Sequence, residues 1–300
     1  MFAQLPAWLR IPLVYLLIAL STVLHILVLA ALTLAKIVLP LQSWHDLCSK
    51  GLAAIAVNWL HVNNLMFGIF TRIDWRIRLP EDLRQDRNYL LLCNHQSWVD
   101  IPALQYALNR KIPFMRFFLK QQLVWVPLLG QAWWALDFPF MRRYSPAVLA
   151  RRPELKGRDM EITRKACERF RRIPSAIMNF AEGTRFTQAK HDKQQSPYRH
   201  LLRPRAGGTA FVLNAMGDVL HSILDITIVY PDGVGGMHDM IAGRVGTVCV
   251  DIRERPLPQD MVGDYQGDPA YRERFQAWMN ALWTEKDHRI EQLLGERGPR

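Results

Sequence analysis

The run Asn94-His95-Gln96-Ser97-Trp98-Val99-Asp100 sets an imidazole and a carboxylate five residues apart. It follows the apolar stretch Tyr89-Leu90-Leu91-Leu92-Cys93 and precedes a helical pattern. This order predicts a histidine at a strand end and an aspartate in the first turn of the next helix. Strand-to-helix loops are where α/β proteins carry their chemistry. An imidazole beside a carboxylate makes a general base near neutral pH, since the carboxylate selects the tautomer and stabilises the imidazolium. Taken alone, a surface histidine next to a helix N-terminal aspartate is the plainer reading.

Three further clusters accompany it. Phe180-Ala181-Glu182-Gly183-Thr184-Arg185-Phe186 ends another predicted strand. Gly183 permits a tight turn with positive φ, which would let Glu182 and Arg185 point into one space. A guanidinium there suits a phosphate held bidentately, and a Glu–Arg ion pair closing the turn is the alternative. Phe140-Met141-Arg142-Arg143 offers a second anion site or a solvated basic pair. Lys120 adds a cation at the end of a predicted strand, and a solvated lysine is the plainer reading there.

The elements that must position these groups are legible in outline. Beyond residue 72 the pattern alternates strands (73–79, 89–93, 114–119, 175–180, 224–230 and 247–253) with helices (99–109, 160–171, 208–214 and 270–294). That alternation predicts an α/β domain, a sheet flanked by helices. In the last helix Phe275, Trp278, Met279, Leu282 and Trp283 recur at three-four spacing, a stripe that packs on the domain. Residues 1–71 form a membrane span or helical hairpin, 72–260 the α/β domain and 261–300 the packed C-terminal helix.

From Ile11 to Ala35 there are 25 residues without a formal charge. As a helix they extend about 37 Å, more than a bilayer core of about 30 Å. The uncharged stretch 51–71 is broken by Asn58, His61, Asn63 and Asn64, which suits an interfacial helix or a returning arm. Lys36, Lys50, Arg72, Arg76 and Arg78 follow the first stretch, whereas Arg10 alone precedes it. The positive-inside rule therefore puts the large domain on the cytoplasmic side. The net charge of +11 attracts nucleic acid, anionic lipid or phosphorylated substrates, and the apolar N-terminus favours the last two. Eleven basic residues against four acidic ones between 141 and 172 suit a solvated helix face or a surface turned to anionic lipid. The segment 123–141, rich in Trp and Leu, suits a membrane-hugging or tunnel-lining role. Four widely spaced cysteines have no metal or disulfide spacing and read as free thiols. No EF-hand loop, GxSxG, HExxH or P-loop occurs.

His-x4-Asp at 95–100, Phe-x-x-Arg at 140–143 and Phe-x-Glu-Gly-Thr-Arg at 180–185, in this order, resemble the glycerolipid acyltransferase family, whose members include 1-acylglycerol-3-phosphate acyltransferases. The likeness implies a mixed sheet flanked by helices behind a membrane-embedded segment. It implies transfer of a fatty acyl group from acyl-CoA or acyl carrier protein to the sn-2 hydroxyl of a lysophospholipid, with no metal, no cofactor and no nucleic acid. His95 is then the general base and Asp100 its orienting partner. Glu182, Gly183, Thr184 and Arg185 hold the glycerol phosphate with Arg143 assisting, and Lys120 lies near donor or phosphate. Two departures stand out: Ala181 replaces the usual Pro, and Asp225-Ile226-Thr227-Ile228-Val229-Tyr230 lacks the Pro of the later motif, so no ligand role attaches to it. Backbone N–H groups near Val99 are the expected donors to a tetrahedral oxyanion. A bacterial inner membrane is the implied location. The competing readings are an acyltransferase for another lysophospholipid or glycerol 3-phosphate, a hydrolase using Ser97 or Cys93, and a basic membrane scaffold without enzymatic activity.

Overall fold

Tyr89 to Cys93 is apolar at every position, which suits a strand covered on both faces. In the computed structural model, which describes residues 2–141, 167–258, 263, 265 and 267–296, this run is the centre of the sheet. The strands are β1 (Asp74–Arg78), β2 (Asn88–Cys93), β3 (Met115–Phe117), β6 (Ala176–Phe180), β7 (Leu220–Val229) and β8 (Thr247–Arg255), arranged in the order β1-β8-β7-β2-β6-β3. The β7–β8 pair is antiparallel and every other pair is parallel, so the sheet is mixed. A two-stranded ribbon, β4 (Leu119–Lys120) with β5 (Phe140–Met141), stands apart. The predicted strand 114–119 is thus divided, because Leu119 leaves the sheet to donate to Pro139 O and pair with Phe140.

The alternation of β2 divides the core in two. Tyr89, Leu91 and Cys93 pack with Ala103, Leu104 and Ala107 of α3 (Asp100–Leu108). Leu90 and Leu92 face the other layer, α6 (Ala206–Met216) and α8 (Pro269–Gly295), which supply Ala210, Leu213, Phe275, Met279 and Trp283. Two short helices, α5 (Gln188–Gln194) and α7 (Met237–Ile241), sit in the connections. Of the predicted helix 160–171 only the end is described, with a 3-10 turn at Arg169–Arg171.

The N-terminal helices α1 (Ala7–Val38) and α2 (Gln42–Phe70) form an antiparallel hairpin, and both are long and apolar enough to cross a membrane. Gly51 admits α1 closely, since a Cβ there would lie 2.9 Å from Leu32. Several polar residues of the two helices pair inside the hairpin or on α3, whereas the buried Asn63 Oδ1 has no hydrogen-bond partner among the described residues. Asn58 meets His25 at 3.2 Å, Trp59 Nε1 donates to Thr22 at 3.1 Å, and Asn64 Nδ2 donates to Gln105 O at 3.3 Å.

Both ends of α1 are tied to the domain. Near its start Arg10 donates to Ala242 O at 2.7 Å, and Val14 is buried in the α3-side core. Near its end Lys36 reaches Asp137 at 3.1 Å. Asp137, which follows α4 (Leu129–Ala135), also accepts from Ser49 of α2 at 2.7 Å and pairs with Arg169. One carboxylate therefore clasps both hairpin helices and the chain before β6. Burial opposes its charge, but Lys36, Ser49 and Arg169 hold Asp137 below the usual carboxylate range.

Removing one member of such a buried pair leaves the other uncompensated, at a cost of about 3 kcal/mol or more. Asp137→Leu should lower the unfolding temperature of the detergent-solubilised protein. Lys36→Met combined with Asp137→Leu should recover part of the loss. Additive losses in the thermal scans would contradict the clasp.

Candidate active site

Because β6 and β7 both run parallel to β2, the carboxyl ends of three neighbouring strands meet at one edge. Asn94 and His95 leave β2 there, Ala181 and Glu182 leave β6, and Tyr230 leaves β7. Asn94 ties the edge together: its Oδ1 accepts from Ile228 N and its Nδ2 donates to Ile228 O, both at 2.9 Å.

Asp100 is fully buried and folds the loop back on itself. Its Oδ2 accepts from Gln96 N at 2.6 Å and Ser97 N at 2.9 Å, and lies 2.8 Å from His95 Nδ1. Its Oδ1 accepts from Tyr230 Oη at 2.7 Å. Burial, then the Asp100 charge, pushes the Tyr230 phenol well above its ordinary range, so it stays a donor. A carboxylate on Nδ1 assigns the proton to Nδ1 and leaves the Nε2 lone pair free to accept one. The ring lies flat on Phe180, with centroids 4.0 Å apart and planes 18° from parallel. It is fixed along one face and at one nitrogen, and its side chain is 16% exposed.

Glu182 behaves differently from the sequence-based expectation. Its carboxylate turns inward, where Oε1 accepts from His95 N at 2.9 Å and Oε2 from Leu202 N at 3.0 Å. A buried carboxyl group whose two oxygens each accept from a backbone N–H is turned away from a phosphate; Glu182 is a brace that holds the main chain of His95. Nor do Glu182 and Arg185 share a space. The Arg185 guanidinium carbon instead lies 4.5 Å from the Trp98 ring centroid. Gly183 has φ 69°, as the turn requires, and a Cβ there would lie 3.1 Å from the Arg205 side chain. Thr184 Oγ1 accepts from Lys190 Nζ at 2.8 Å, and the same ammonium donates to Arg185 O at 2.9 Å. Phe186 N donates to His95 O at 2.7 Å, so the two motif loops are hydrogen-bonded to each other.

The remaining expectations separate. Lys120 is exposed on the β4–β5 ribbon, with no hydrogen bond or ion pair to either motif loop among the described residues. Arg143 lies outside the described residues. The N–H groups of Gln96, Ser97, Val99 and Asp100 are engaged within the loop, by Asp100 Oδ2, Ser97 Oγ and Ser97 O, so they do not serve as oxyanion donors. Ser97 Oγ donates to Gly235 O at 2.6 Å rather than to His95, and Cys93 is fully buried with its thiol pushed well up by burial. Neither is a nucleophile paired with the imidazole. All four cysteines are free, and among the described residues no cluster of His, Cys, Asp or Glu could hold a metal ion.

Burial pushes Glu182 up to about 7, against the pull of its two N–H donors and of Lys286. Since the ordinary value is 4.5, the folded protein holds the extra proton between the two values. The group's contribution to stability is therefore present below about 4.5 and lost as pH rises through about 7. Glu182→Gln cannot titrate. The stability gap between wild type and this variant should narrow between pH 5 and pH 8, by on the order of 2–3 kcal/mol. A gap that stays constant in thermal scans across that range would contradict the assignment.

Residues 74–231, slightly more than half the chain, match the Acyltransferase family model. The 1-acyl-sn-glycerol-3-phosphate acyltransferase delta of Mus musculus is 22% identical over 214 residues, 67% of this chain and 51% of its own length. This chain thus spans about half of that relative. The epsilon enzyme of the same organism is 23% identical over 257 residues, 80% of this chain and 67% of its own. Among solved structures, the 1-acyl-sn-glycerophosphate (LPA) acyltransferase PlsC from Thermotoga maritima superposes with a TM-score of 0.52 at 16% identity, over 98% of this chain and all of that one. It shares the mixed sheet and flanking helices. With a family match that begins at β1 and takes in both motif loops and Tyr230, the chain belongs to the acyltransferase family.

Proposed function

We propose that this protein transfers a fatty acyl group from a thioester donor, acyl-CoA or acyl carrier protein, to the sn-2 hydroxyl of 1-acylglycerol 3-phosphate. The observation that carries the reading is the oriented imidazole: Nδ1 is held by Asp100, which leaves the Nε2 lone pair free to take a proton. An alcohol attacks a thioester poorly unless its proton leaves during the attack, and a positioned neutral imidazole contributes about 10²–10⁴-fold. The His95 Nε2 takes the hydroxyl proton as the alcohol oxygen bonds to the thioester carbon. The C–S bond then breaks and the thiolate leaves with the proton returned from Nε2. Asp100 accepts no proton in this scheme; it fixes the tautomer and stabilises the imidazolium. Arg185 receives the acceptor phosphate, and this positioning converts a two-substrate encounter into an oriented one.

The hairpin supports access from a membrane. A 32-residue helix is about 48 Å long, yet α1 touches the same domain through Arg10 at one end and Lys36 at the other. A helix tied at both ends to one water-facing domain lies along the membrane surface rather than through it. Its outward residues, among them Leu20, Leu24, Leu27 and Leu34, are exposed and apolar. Trp125 and Leu128 before α4 are exposed in the same way. A lysolipid can then reach His95 sideways, without an extraction cost of about 0.8 kcal/mol per methylene. The basic residues after α1 favour the anionic cytoplasmic leaflet of an inner membrane.

Membranes carrying the protein, supplied with labelled acyl-CoA and lysolipids with and without a terminal phosphate, test the assignment. Product should form with the phosphorylated acceptor. His95→Ala should reduce turnover by about 10³-fold or more while the fold and membrane attachment persist; a purified variant of unchanged activity refutes the base. Arg185→Ala should raise the KM for the phosphorylated acceptor at least tenfold, about 1.4 kcal/mol, and leave the donor KM within twofold. Equal changes in both would remove its role.

A further inference from the structure

Trp98 is 63% exposed although both its neighbours, Ser97 and Val99, are buried. An indole projecting from the loop that carries the base, three residues after His95, has no part in the proton transfer. Its contact is with Arg185, whose guanidinium carbon stands 4.5 Å from the ring centroid. Among the described residues the Arg185 guanidinium has no hydrogen bond and no ion pair, so its five N–H donors are unused.

Neither partner is loosely held. Ser97 Oγ donates to Gly235 O at 2.6 Å and accepts from Val99 N at 3.2 Å, which fixes the backbone on both sides of Trp98. Lys190 Nζ donates to Arg185 O at 2.9 Å and to Thr184 Oγ1 at 2.8 Å, which fixes the turn that carries Arg185. The stack thus joins the His95 loop to the 182–185 turn through side chains that project from two braced segments. Geometry also decides what the stack leaves available. A guanidinium over an aromatic face is held through its flat side, while its donors lie in its plane and point outward. The cation is immobilised without consuming a single N–H.

We propose that Trp98 is a positioning residue for the acceptor: its indole face holds Arg185 so that the in-plane donors are presented, preset, to a phosphomonoester beside His95. This deepens the acyltransferase reading and rests on it for the identity of the acceptor. An aliphatic side chain at 98 leaves Arg185 free to sample other rotamers, and phosphate affinity falls. A phenyl ring keeps the π face and most of the effect. The hydroxyl and the acyl chains of the acceptor are untouched by the change.

The test is a binding cycle on the full chain in detergent, in a His95→Ala background so that no turnover occurs. The ligands are 1-acylglycerol 3-phosphate and, as its phosphate-free control, the matching 1-acylglycerol, read by calorimetry. Trp98→Leu should weaken the phosphorylated ligand about fivefold, about 1 kcal/mol, and the control by less than twofold. Trp98→Phe should stay within twofold of the parent. Once Arg185 is replaced by Ala, Trp98→Leu should weaken binding no further, the signature of a shared interaction. Equal weakening of both ligands, or a fivefold loss that persists without Arg185, overturns the proposal and makes Trp98 a contact for the acyl chain or the bilayer. With His95 restored, Trp98→Leu should raise the acceptor KM by the same factor and leave kcat and the donor KM within twofold. A wild-type protein that acylates no lysolipid sinks the transfer reading, whereas the binding cycle still decides Trp98.

Discussion

The Asp100 carboxylate is the point on which the site turns. It is fully buried and accepts from two backbone N–H groups of its own loop, from a tyrosine on another strand and from the imidazole. Each contact constrains a different level of structure. The two N–H groups force the chain to curl between β2 and α3, and the curl brings a residue five positions back into hydrogen-bond reach. The Tyr230 contact can form only if β7 lies beside β2 and parallel to it, which the register from Tyr89–Ser222 to Cys93–Ile226 provides. The imidazole contact then settles which ring nitrogen carries the proton and which is free to accept one. Strand order, loop shape and tautomer are thus set by one pair of oxygens.

The second buried carboxylate, Glu182, does for the main chain what Asp100 does for the ring. Its oxygens span His95 N and Leu202 N, residues 87 and 20 positions away. A third, Asp225 on β7, is neutralised by Lys286 of α8, whose ammonium also donates to Ile226 O at 2.6 Å. Burial opposes the Asp225 charge, but Lys286 and Arg255 keep it below the usual carboxylate range. The C-terminal helix therefore does more than cover the sheet. It delivers a cation to the layer directly beneath the strand ends where Asp100 and Glu182 sit, and Lys286 is among the charges that pull Glu182 down.

What could be read from the sequence follows from how local its causes are. The apolar run Tyr89–Cys93 of β2 needs both faces covered, and this follows from composition alone. The His95–Asp100 pair was legible because loop curvature over five residues is a local matter. Glu182 was not: whether a carboxylate at a turn faces in or out depends on an amide donor 87 residues earlier in the chain. Tyr230 escaped for the same reason, since it ends an apolar strand and its partner is 130 positions away. Lys286 continues the buried stripe of Phe275, Met279, Leu282 and Trp283. Its spacing was a usable signal hidden by its charge. The short helix α5 carries no apolar period and is held by the Thr187 cap, whose side chain accepts from Lys190 N, so a reading keyed to hydrophobic spacing passes over it.

The disposition of charge supports the proposed anionic acceptor although two of the motif residues are acidic. Both carboxylates are turned inward and filled by donors, so neither presents a free lone pair to substrate. The arginine of the same turn is held against Trp98 and has no hydrogen bond or ion pair from its guanidinium among the described residues. In the proposed reading, an acceptor phosphate meets the half-buried Arg185 cation, while Asp100 and Glu182 are buried. Reversing that order, by freeing Glu182 from His95 N and Leu202 N, would do double damage. It would loosen the main chain of His95 and set a negative charge against the proposed headgroup. The inward turn of Glu182 is therefore a condition both for the geometry of His95 and for the potential that the proposed acceptor meets.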